Sequence, residues 1–246
     1  MSKPRILLTG GSGKLGRELQ ALLPEIAAPP RMELDITRPE TVTAALERYQ
    51  PQVVVHAAAY TDVAGAERDR ELCWRTNVDG TRNVVNALLG ADVTLVYLST
   101  DYVFEGTRGM YREDETPGPV RNYYSLTKLV AESIVRLLSR HLAIRSSFRP
   151  RVWPYPAAFT DVYTSQDYID IIAPDIALAI TRCRELPFDT LHIATERKTS
   201  FELARRRNPE VRAASKTEAP VALPDDISLD ISRWQKIKEE WGKNRD

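Results

Sequence analysis

The sequence predicts an α/β protein with a mainly parallel sheet that is covered by helices on both faces. Short apolar runs in the first half of the chain predict buried strands, and longer amphipathic runs between them predict helices. The predicted strands are Ile6–Thr9, Val53–His56, Val93–Leu98 and Leu142–Phe148. Because predicted helices of nine or more residues separate these strands, the connections must be crossovers, which join parallel strands.

The helices that we predict between these strands are Leu15–Leu23, Thr41–Tyr49, Asp69–Leu89 and Tyr123–Ser139. A further short strand is expected near Ala27–Ala28, before the prolines at 29 and 30 interrupt regular structure. Beyond Pro150 the chain is rich in proline and aromatic residues, which predicts an irregular lining. The later predicted elements are the helices Ile176–Cys183, Ser200–Arg207 and Asp230–Trp241 and the strand Thr190–Ala194. We therefore expect a nucleotide-binding domain over residues 1–144. Residues 145–246 would form a small substrate-binding lobe that partly returns to the first domain.

Composition excludes several functional classes. The 246 residues carry 34 basic and 34 acidic side chains, so no global field attracts nucleic acid or an anionic membrane. Cys73 and Cys183 lie far apart, and the three histidines are scattered, so we expect no metal site and a reducing compartment. No apolar run approaches the ~20 residues that span a bilayer. The chain begins directly with a strand and a glycine turn, so a cytoplasmic protein without a signal peptide is expected.

The turn after the first strand is rich in glycine. It reads Thr-Gly-Gly-Ser-Gly-Lys-Leu-Gly over residues 9–16, between an apolar strand and a helix. Glycine permits close backbone approach, and a helix N-terminus offers free N–H groups to a pyrophosphate. An ordinary βα turn is the alternative, but the strand–turn–helix context favours dinucleotide binding and a Rossmann-type, doubly wound sheet. Two registers fit, one starting at Gly10 and one at Gly11, each continuing through Gly13 and Gly16.

The expected acidic partner of a cofactor ribose is ambiguous. Asp35 lies 19 residues after Gly16, but no acid follows the short strand near Ala27–Ala28. Arg31 stands close by in the sequence. This pattern favours NADP slightly over NAD, although Arg31 also fits an ordinary surface charge.

A tyrosine and a lysine at helical spacing are the candidate catalytic pair. Tyr124 and Lys128 are four residues apart, which places both side chains on one helix face. A nearby ammonium is expected to lower the phenol pKa, so that the phenol protonates a carbonyl oxygen as hydride arrives. Tyr123 competes for this role, but Thr127 stands four residues after it and carries no charge. Thr100, at the end of the preceding strand, supplies a hydroxyl. The alternative is a commonplace helix pair, which the glycine turn upstream disfavours.

Longer stretches carry a family resemblance. They are Leu34–Thr37, His56–Val63, Asn77–Asn83 and, most specifically, the Ser-Thr-Asp-Tyr-Val-Phe segment of residues 99–104. With the glycine turn and the Tyr–Lys pair, they make the chain resemble an extended short-chain dehydrogenase/reductase, and within that class the dTDP-4-dehydrorhamnose reductases. The likeness is strong to about Leu142 and patchy beyond it.

The resemblance implies roles for individual residues. Catalysis would fall to Thr100, Tyr124 and Lys128. The cofactor-binding residues would be Gly10, Gly13, Lys14, Leu15, Gly16, Asp35, Ile36, Ala57, Ala58, Ala59, Tyr60, Tyr124 and Lys128. Asp101, Tyr102 and Phe148, which stands where the family has a tryptophan, would contact the substrate. Asn77 would support the end of the sheet.

The implied activity is reduction by NADPH or NADH of a 4-keto group on a nucleotide-linked deoxysugar, as in dTDP-rhamnose biosynthesis, by a homodimer. Two departures weaken the transfer of substrate identity: the chain is shorter than the family pattern between Arg145 and Ile176, and Trp153–Tyr168 has little family likeness. Two alternatives stay open. One is an epimerase or dehydratase that retains its NAD. The other is a non-catalytic regulatory subunit, similar to that of methionine adenosyltransferase.

Overall fold

The computed structural model describes residues 4–219 and 222–243. Its strands are β1 (Ile6–Thr9), β2 (Val53–His56), β3 (Thr94–Ser99), β4 (His141–Arg145), β5 (Phe148–Arg149), β6 (Ala157–Phe159), β7 (Tyr163–Thr164), β8 (Asp167–Tyr168), β9 (Thr190–His192), β10 (Lys198–Thr199) and β11 (Arg212–Ala214). Its α-helices are α1 (Lys14–Leu22), α2 (Pro39–Tyr49), α3 (Val63–Arg68), α4 (Arg70–Trp74), α5 (Gly80–Leu88), α6 (Tyr123–Val135), α7 (Ile169–Thr181), α8 (Ser200–Arg205) and α9 (Ser232–Lys243).

The central sheet has five parallel strands in the order β1-β2-β3-β4-β9. The strand expected near Ala27–Ala28 is reduced to a single parallel bridge between Leu7 and Ala27, on the other edge of β1. Prolines at 24, 29 and 30 limit this strand, because proline has no N–H to donate and a fixed φ. The chain thus leaves β1 toward one edge and returns as β2 on the other side, which makes a topological switch point.

Helices bury both faces of the sheet, which confirms the predicted α/β class. In β1, Ile6 and Leu8 point to the layer formed by α1, α7 and α9, whereas Leu7 points to the layer formed by α2, α5 and α6. This alternation is the period of two that strand geometry imposes. Since each side of the strand meets a hydrophobic layer, β1 and β2 are buried at every position.

The long helix that the sequence predicts over Asp69–Leu89 is continuous, but it is not uniform. A π-helical turn at Arg75–Asp79 joins α4 to α5. π-turns interrupt α-helices mostly at functional positions. Here the turn carries Asn77, whose buried side chain reaches the end of the sheet.

The predicted start of α7 at Ile176 is wrong, because the helix begins at Ile169 and includes Pro174. Ile169 and Ile172 are buried in the same core as α1, so packing outweighs the missing N–H of proline. Helix α9 adds the fully buried Trp234 to that core. Elements from beyond residue 145 therefore complete the central layer.

A second, smaller core lies in the C-terminal part of the chain. It is formed by Trp153, Ala158, Tyr168, Leu203, Ala204 and Val211. Three short strand pairs, β5–β8, β6–β11 and β7–β10, surround it. The division at residues 144 and 145 stays a prediction, and its outer ends, residues 1–3 and 244–246, lie outside the described part of the chain. Within the described residues, no helix is both long enough and apolar enough to cross a membrane.

Gly16→Ala tests the packing at the start of α1. A Cβ at this position would come within 2.3 Å of the Gly10 carbonyl oxygen and 2.7 Å of the Gly11 Cα, both fixed backbone atoms. We expect the free energy of unfolding in urea to fall by about 1–3 kcal/mol, as for other overpacked sites. Gly242→Ala, where no other atom of the described residues lies within 4 Å, is the control. Equal stability of the two variants would contradict the close approach.

Candidate active site

The glycine turn packs tightly against the segment that follows β2. Gly10 has a φ of 75°, and a Cβ there would lie 2.7 Å from the backbone nitrogen of Ala58. The positive φ singles out the register that starts at Gly10, since left-handed backbone favours glycine. Gly13 precedes α1, and no side chain in the described part of the chain caps this helix. The turn therefore forms a cradle of bare backbone at a helix N-terminus, which suits an anion.

A cleft of about 580 Å³ opens beside this turn at the switch point. Of the predicted cofactor residues, Gly10, Gly13, Asp35, Ile36, Ala57, Ala58 and Ala59 line it. The others, Lys14, Leu15, Gly16, Tyr60, Tyr124 and Lys128, lie outside the lining. Leu15 and Gly16 are buried under the turn, and Lys14 is exposed.

Several lining residues were not foreseen from the sequence, among them Arg17, Gln20 and Thr76. Gln20 donates from Nε2 to the carbonyl oxygens of Gly11 (2.7 Å) and Gly16 (3.0 Å), which holds the turn in shape. Arg17 donates to the carbonyl oxygen of Ser12. One and two turns of helix separate Arg17 and Gln20 from Gly13, a spacing that alone could have indicated that they face the turn.

Asp35 is held by its own neighbours. Burial acts to raise its pKa, but hydrogen bonds from Thr37 and the guanidinium of Arg31 outweigh burial, so the pKa of Asp35 is lowered. Arg31 Nε lies 3.0 Å from Asp35 Oδ2, and most of the arginine side chain is exposed. Both charged side chains line the cleft. The structure thus brings together the two residues from which we predicted a slight preference for NADP over NAD.

Tyr124 and Lys128 share the buried face of α6, beside the carboxyl end of β3. The Asn122 side chain caps the helix by accepting from the Ser125 N–H, which sets where α6 begins. Lys128 donates from Nζ to the Leu98 carbonyl oxygen at 2.7 Å and lies 4.1 Å from the centre of the Tyr97 ring. Lys128 therefore contacts the last residues of β3.

The pKa expected of Tyr124 is wrong in direction. Burial raises the pKa of this phenol, Asp101 raises it further, and the Thr100 hydroxyl offsets only part of the rise. Burial also lowers the pKa of Lys128 to about 7, against the attraction of Glu132. Loss of hydration therefore outweighs the attraction between ammonium and phenolate that the spacing suggested. The phenol keeps its proton at neutral pH, and the protonated form is the one that can donate.

The hydroxyl of Thr100 belongs to a small network around Asp101. Thr100 donates to Asp101 Oδ1 at 3.0 Å, Ser147 donates to the same carboxylate, and Gln166 donates to Oδ2 at 3.4 Å. Burial raises the pKa of Asp101, and these three hydrogen bonds lower it in part. Asp101 is 1% exposed, and its buried carboxylate orients the Thr100 hydroxyl through the hydrogen bond between them. Ser147 and Gln166 were not foreseen, because they come from distant parts of the chain.

Asn77 connects the segment that follows β2 to the Tyr–Lys helix. Its side chain accepts from the Tyr60 N–H at 2.7 Å and donates to the Tyr60 carbonyl oxygen at 3.1 Å. It also donates to the Thr127 hydroxyl of α6 at 3.0 Å. Tyr60 packs in one cluster with Tyr124 and Tyr102. Asn77, which we expected to support the end of the sheet, therefore binds both the backbone N–H and the backbone carbonyl oxygen of Tyr60.

Phe148, the remaining predicted substrate residue, is half-buried in β5 and packs against the core beneath α1 and α7. Among the described residues, no group of three or more acidic, histidine or cysteine side chains could hold a metal ion.

The arrangement of the sheet defines the class of the protein. A parallel sheet with a glycine turn at its switch point is the Rossmann-type nucleotide-binding fold, here of the extended short-chain dehydrogenase/reductase kind. Within this class, the chain belongs to the RmlD substrate binding domain family, whose sequence profile matches residues 4–149.

The similar proteins have two kinds of name. A dTDP-4-dehydrorhamnose reductase of Streptomyces griseus is 43% identical over 138 residues, 54% of this chain and 45% of that protein. A methionine adenosyltransferase 2 subunit beta of Xenopus laevis is 35% identical over 142 residues, 53% of this chain and 42% of that protein. The chain thus matches somewhat less than half the length of these curated relatives.

Among solved structures, the dTDP-4-dehydrorhamnose reductase of Bacillus anthracis in complex with NADP superposes with a TM-score of 0.82 at 28% identity. The superposition covers 96% of this chain and 92% of that one, so the fold extends well beyond the region of clear sequence likeness.

Lys128→Met tests the burial of the amine. The pKa of Lys128 is about 7 in the folded protein against an ordinary value of 10.5, so the unfolded chain binds more protons between these values. The free energy of unfolding of the wild type should therefore rise with pH in this window, relative to Lys128→Met, by at most about 1.4 kcal/mol per pH unit. Below pH 7 the advantage of the variant should be constant and largest.

The measurement is urea unfolding of both proteins from pH 6 to pH 10, with Lys236→Met on the exposed face of α9 as control. Parallel stability curves for wild type and Lys128→Met would contradict the lowered pKa.

Proposed function

We propose that this protein is an NADPH-dependent reductase of a 4-keto group on a nucleotide-linked deoxysugar. The observation that carries the proposal is the position of Tyr124, a buried and protonated phenol beside Thr100 at the end of β3. The reductase relatives support the substrate class, and the NADP complex of the Bacillus anthracis protein supports the cofactor.

The residues of the cleft fit a dinucleotide. Gly10 allows the turn to pack directly on the backbone of Ala57 and Ala58, where a Cβ would collide, and no side chain of the described residues caps the N-terminus of α1. Gly10 and Gly13 would hold the pyrophosphate, and the small side chains of Ala57–Ala59 would leave room for the rest of the cofactor. When bound, NADPH supplies the hydride.

The chain supplies the proton and the orientation. Tyr124 donates its phenolic proton to the oxygen of the keto group, which becomes the hydroxyl of the product. Thr100 hydrogen-bonds beside it and is itself oriented by Asp101. Lys128, one helical turn away, carries positive charge below about pH 7 and there stabilises the phenolate that remains.

Two other functions are separated from this one by experiment. The methionine adenosyltransferase subunit among the relatives makes a non-catalytic role the second candidate. An epimerase or dehydratase would instead retain NAD through purification and show no net consumption of NADPH. We extend the proposal to a cytoplasmic location and a homodimer, as expected from the sequence; light scattering of the purified protein tests the dimer.

Tyr124→Phe tests catalysis directly. The change removes the donated proton and little else, so kcat for NADPH oxidation with a dTDP-4-keto-6-deoxy sugar should fall about a hundredfold to ten-thousandfold. Tyr123→Phe, at the neighbouring helix position, should leave kcat within about twofold, because its phenol is not in the proposed proton path. Full activity of Tyr124→Phe, or no turnover of keto-sugar nucleotides by the wild type, would favour the non-catalytic role.

Arg31→Ala tests the choice of cofactor. Because Arg31 lines the cleft, it can pair with the ribose phosphate that distinguishes NADPH from NADH. We expect KM for NADPH to rise about tenfold and KM for NADH to stay unchanged. Arg38→Ala, which removes an exposed arginine outside the lining, is the control. An equal change for both cofactors would show that Arg31 does not read the phosphate.

A further inference from the structure

Arg149 lies on the substrate side of the site and forms no ion pair with the described residues, although its charge acts on the carboxylate of Asp101. It lies in β5, which follows β4 at the carboxyl end of the central sheet and pairs with β8. Its Nε is shielded from solvent and makes no hydrogen bond within the described part of the chain. Nearby arginines are paired: Arg151 with Glu18, and Arg207 with Asp170. A shielded cationic N–H without an acceptor costs free energy, so its retention needs an explanation.

Two aromatic rings hold the guanidinium in place. Arg149 Cζ lies 5.6 Å from the centre of the Trp153 ring and 5.9 Å from that of Tyr155. The two rings meet edge to face at 5.7 Å, with Trp153 buried and Tyr155 about half exposed. Arginine packed against rings keeps its planar fork of N–H groups for an anion. The side chain is therefore positioned in advance and not merely solvated.

The charge of Arg149 acts on the proposed substrate residues. It lowers the pKa of Asp101 and of Tyr102, against the larger effect of burial, which raises both. Asp101 in turn contacts Thr100, and Asp101 and Tyr102 both act on Tyr124. Arg149 does not line the cleft at the glycine turn. Its anion is therefore expected on the substrate side of Tyr124, away from the cradle for the cofactor pyrophosphate.

We infer that Arg149 binds the diphosphate of the nucleotide-linked substrate, an inference that rests on the proposed function. A diphosphate offers adjacent acceptor oxygens that match the two-pronged guanidinium, and it would satisfy the shielded Nε. In this inference, the proline- and aromatic-rich segment after β5, which has little family likeness, supplies the rings of Trp153 and Tyr155 that hold the arginine. Arg149 sets affinity for the substrate, while Tyr124 performs the chemistry.

Calorimetric titration with dTDP and with uncharged thymidine tests this role. Arg149→Ala should weaken dTDP binding about tenfold to hundredfold and leave thymidine binding unchanged, because only dTDP carries the diphosphate. Arg149→Lys should lie between, since it keeps the charge and loses the fork. In turnover, KM for the keto-sugar nucleotide should rise while kcat stays the same. Arg151→Ala, two residues away and paired with Glu18, is the matched control and should bind dTDP as the wild type does.

The outcomes separate this inference from the proposed function. Unchanged dTDP affinity in both Arg149 variants, equal losses for dTDP and thymidine, or a wild type that binds no dTDP would each overturn the diphosphate site. Should Arg149→Ala fail to fold by circular dichroism, Arg149→Lys decides alone. If dTDP binding depends on Arg149 but no keto-sugar nucleotide is reduced, the site stands and the reductase proposal falls.

Discussion

The candidate site depends on the constraint that parallel strands end at the same edge of a sheet. β1 delivers the glycine turn, β2 the Ala57–Tyr60 segment, β3 Thr100, and the chain after β4 the pair Ser147 and Arg149. Because crossover helices cover both faces, ligand access is restricted to this edge and to the switch point beside β1. The sheet brings these segments together, and side chains from α6 and from the π-helical turn complete the site.

Desolvation is the main electrostatic effect in the site. Tyr124, Lys128 and Asp101 are all buried, and burial pushes each toward its neutral form. Three hydrogen bonds resist this for Asp101, whereas Lys128 has the Leu98 carbonyl oxygen and the face of the Tyr97 ring. In a site of this kind the Tyr124 phenol keeps its proton, and the pKa of the Lys128 amine lies near neutral pH. The proposed reduction requires a proton donor, and burial provides one without a lowered phenol pKa.

Pattern in the sequence predicted the strands of the central sheet well, because a strand buried on both faces reads as an uninterrupted apolar run. It failed at α7, which begins at Ile169 and not at Ile176, because the packing of Ile169 and Ile172 against the core extends the helix through Pro174. It also could not find the network around Asp101, since Ser147 and Gln166 become neighbours only when β4 and the segment before β8 meet.

By itself, the sequence determined the α/β class, the glycine turn and the spacing of Tyr124 and Lys128. These features depend on local periodicity and on residues, such as glycine in a tight turn, that other residue types rarely substitute. Only the tertiary structure decided which charges are desolvated, that Asn77 joins Tyr60 to α6, and that Arg149 packs against two aromatic rings with no ion-pair partner among the described residues. These properties depend on distances between segments far apart in the chain, and no local pattern encodes such distances.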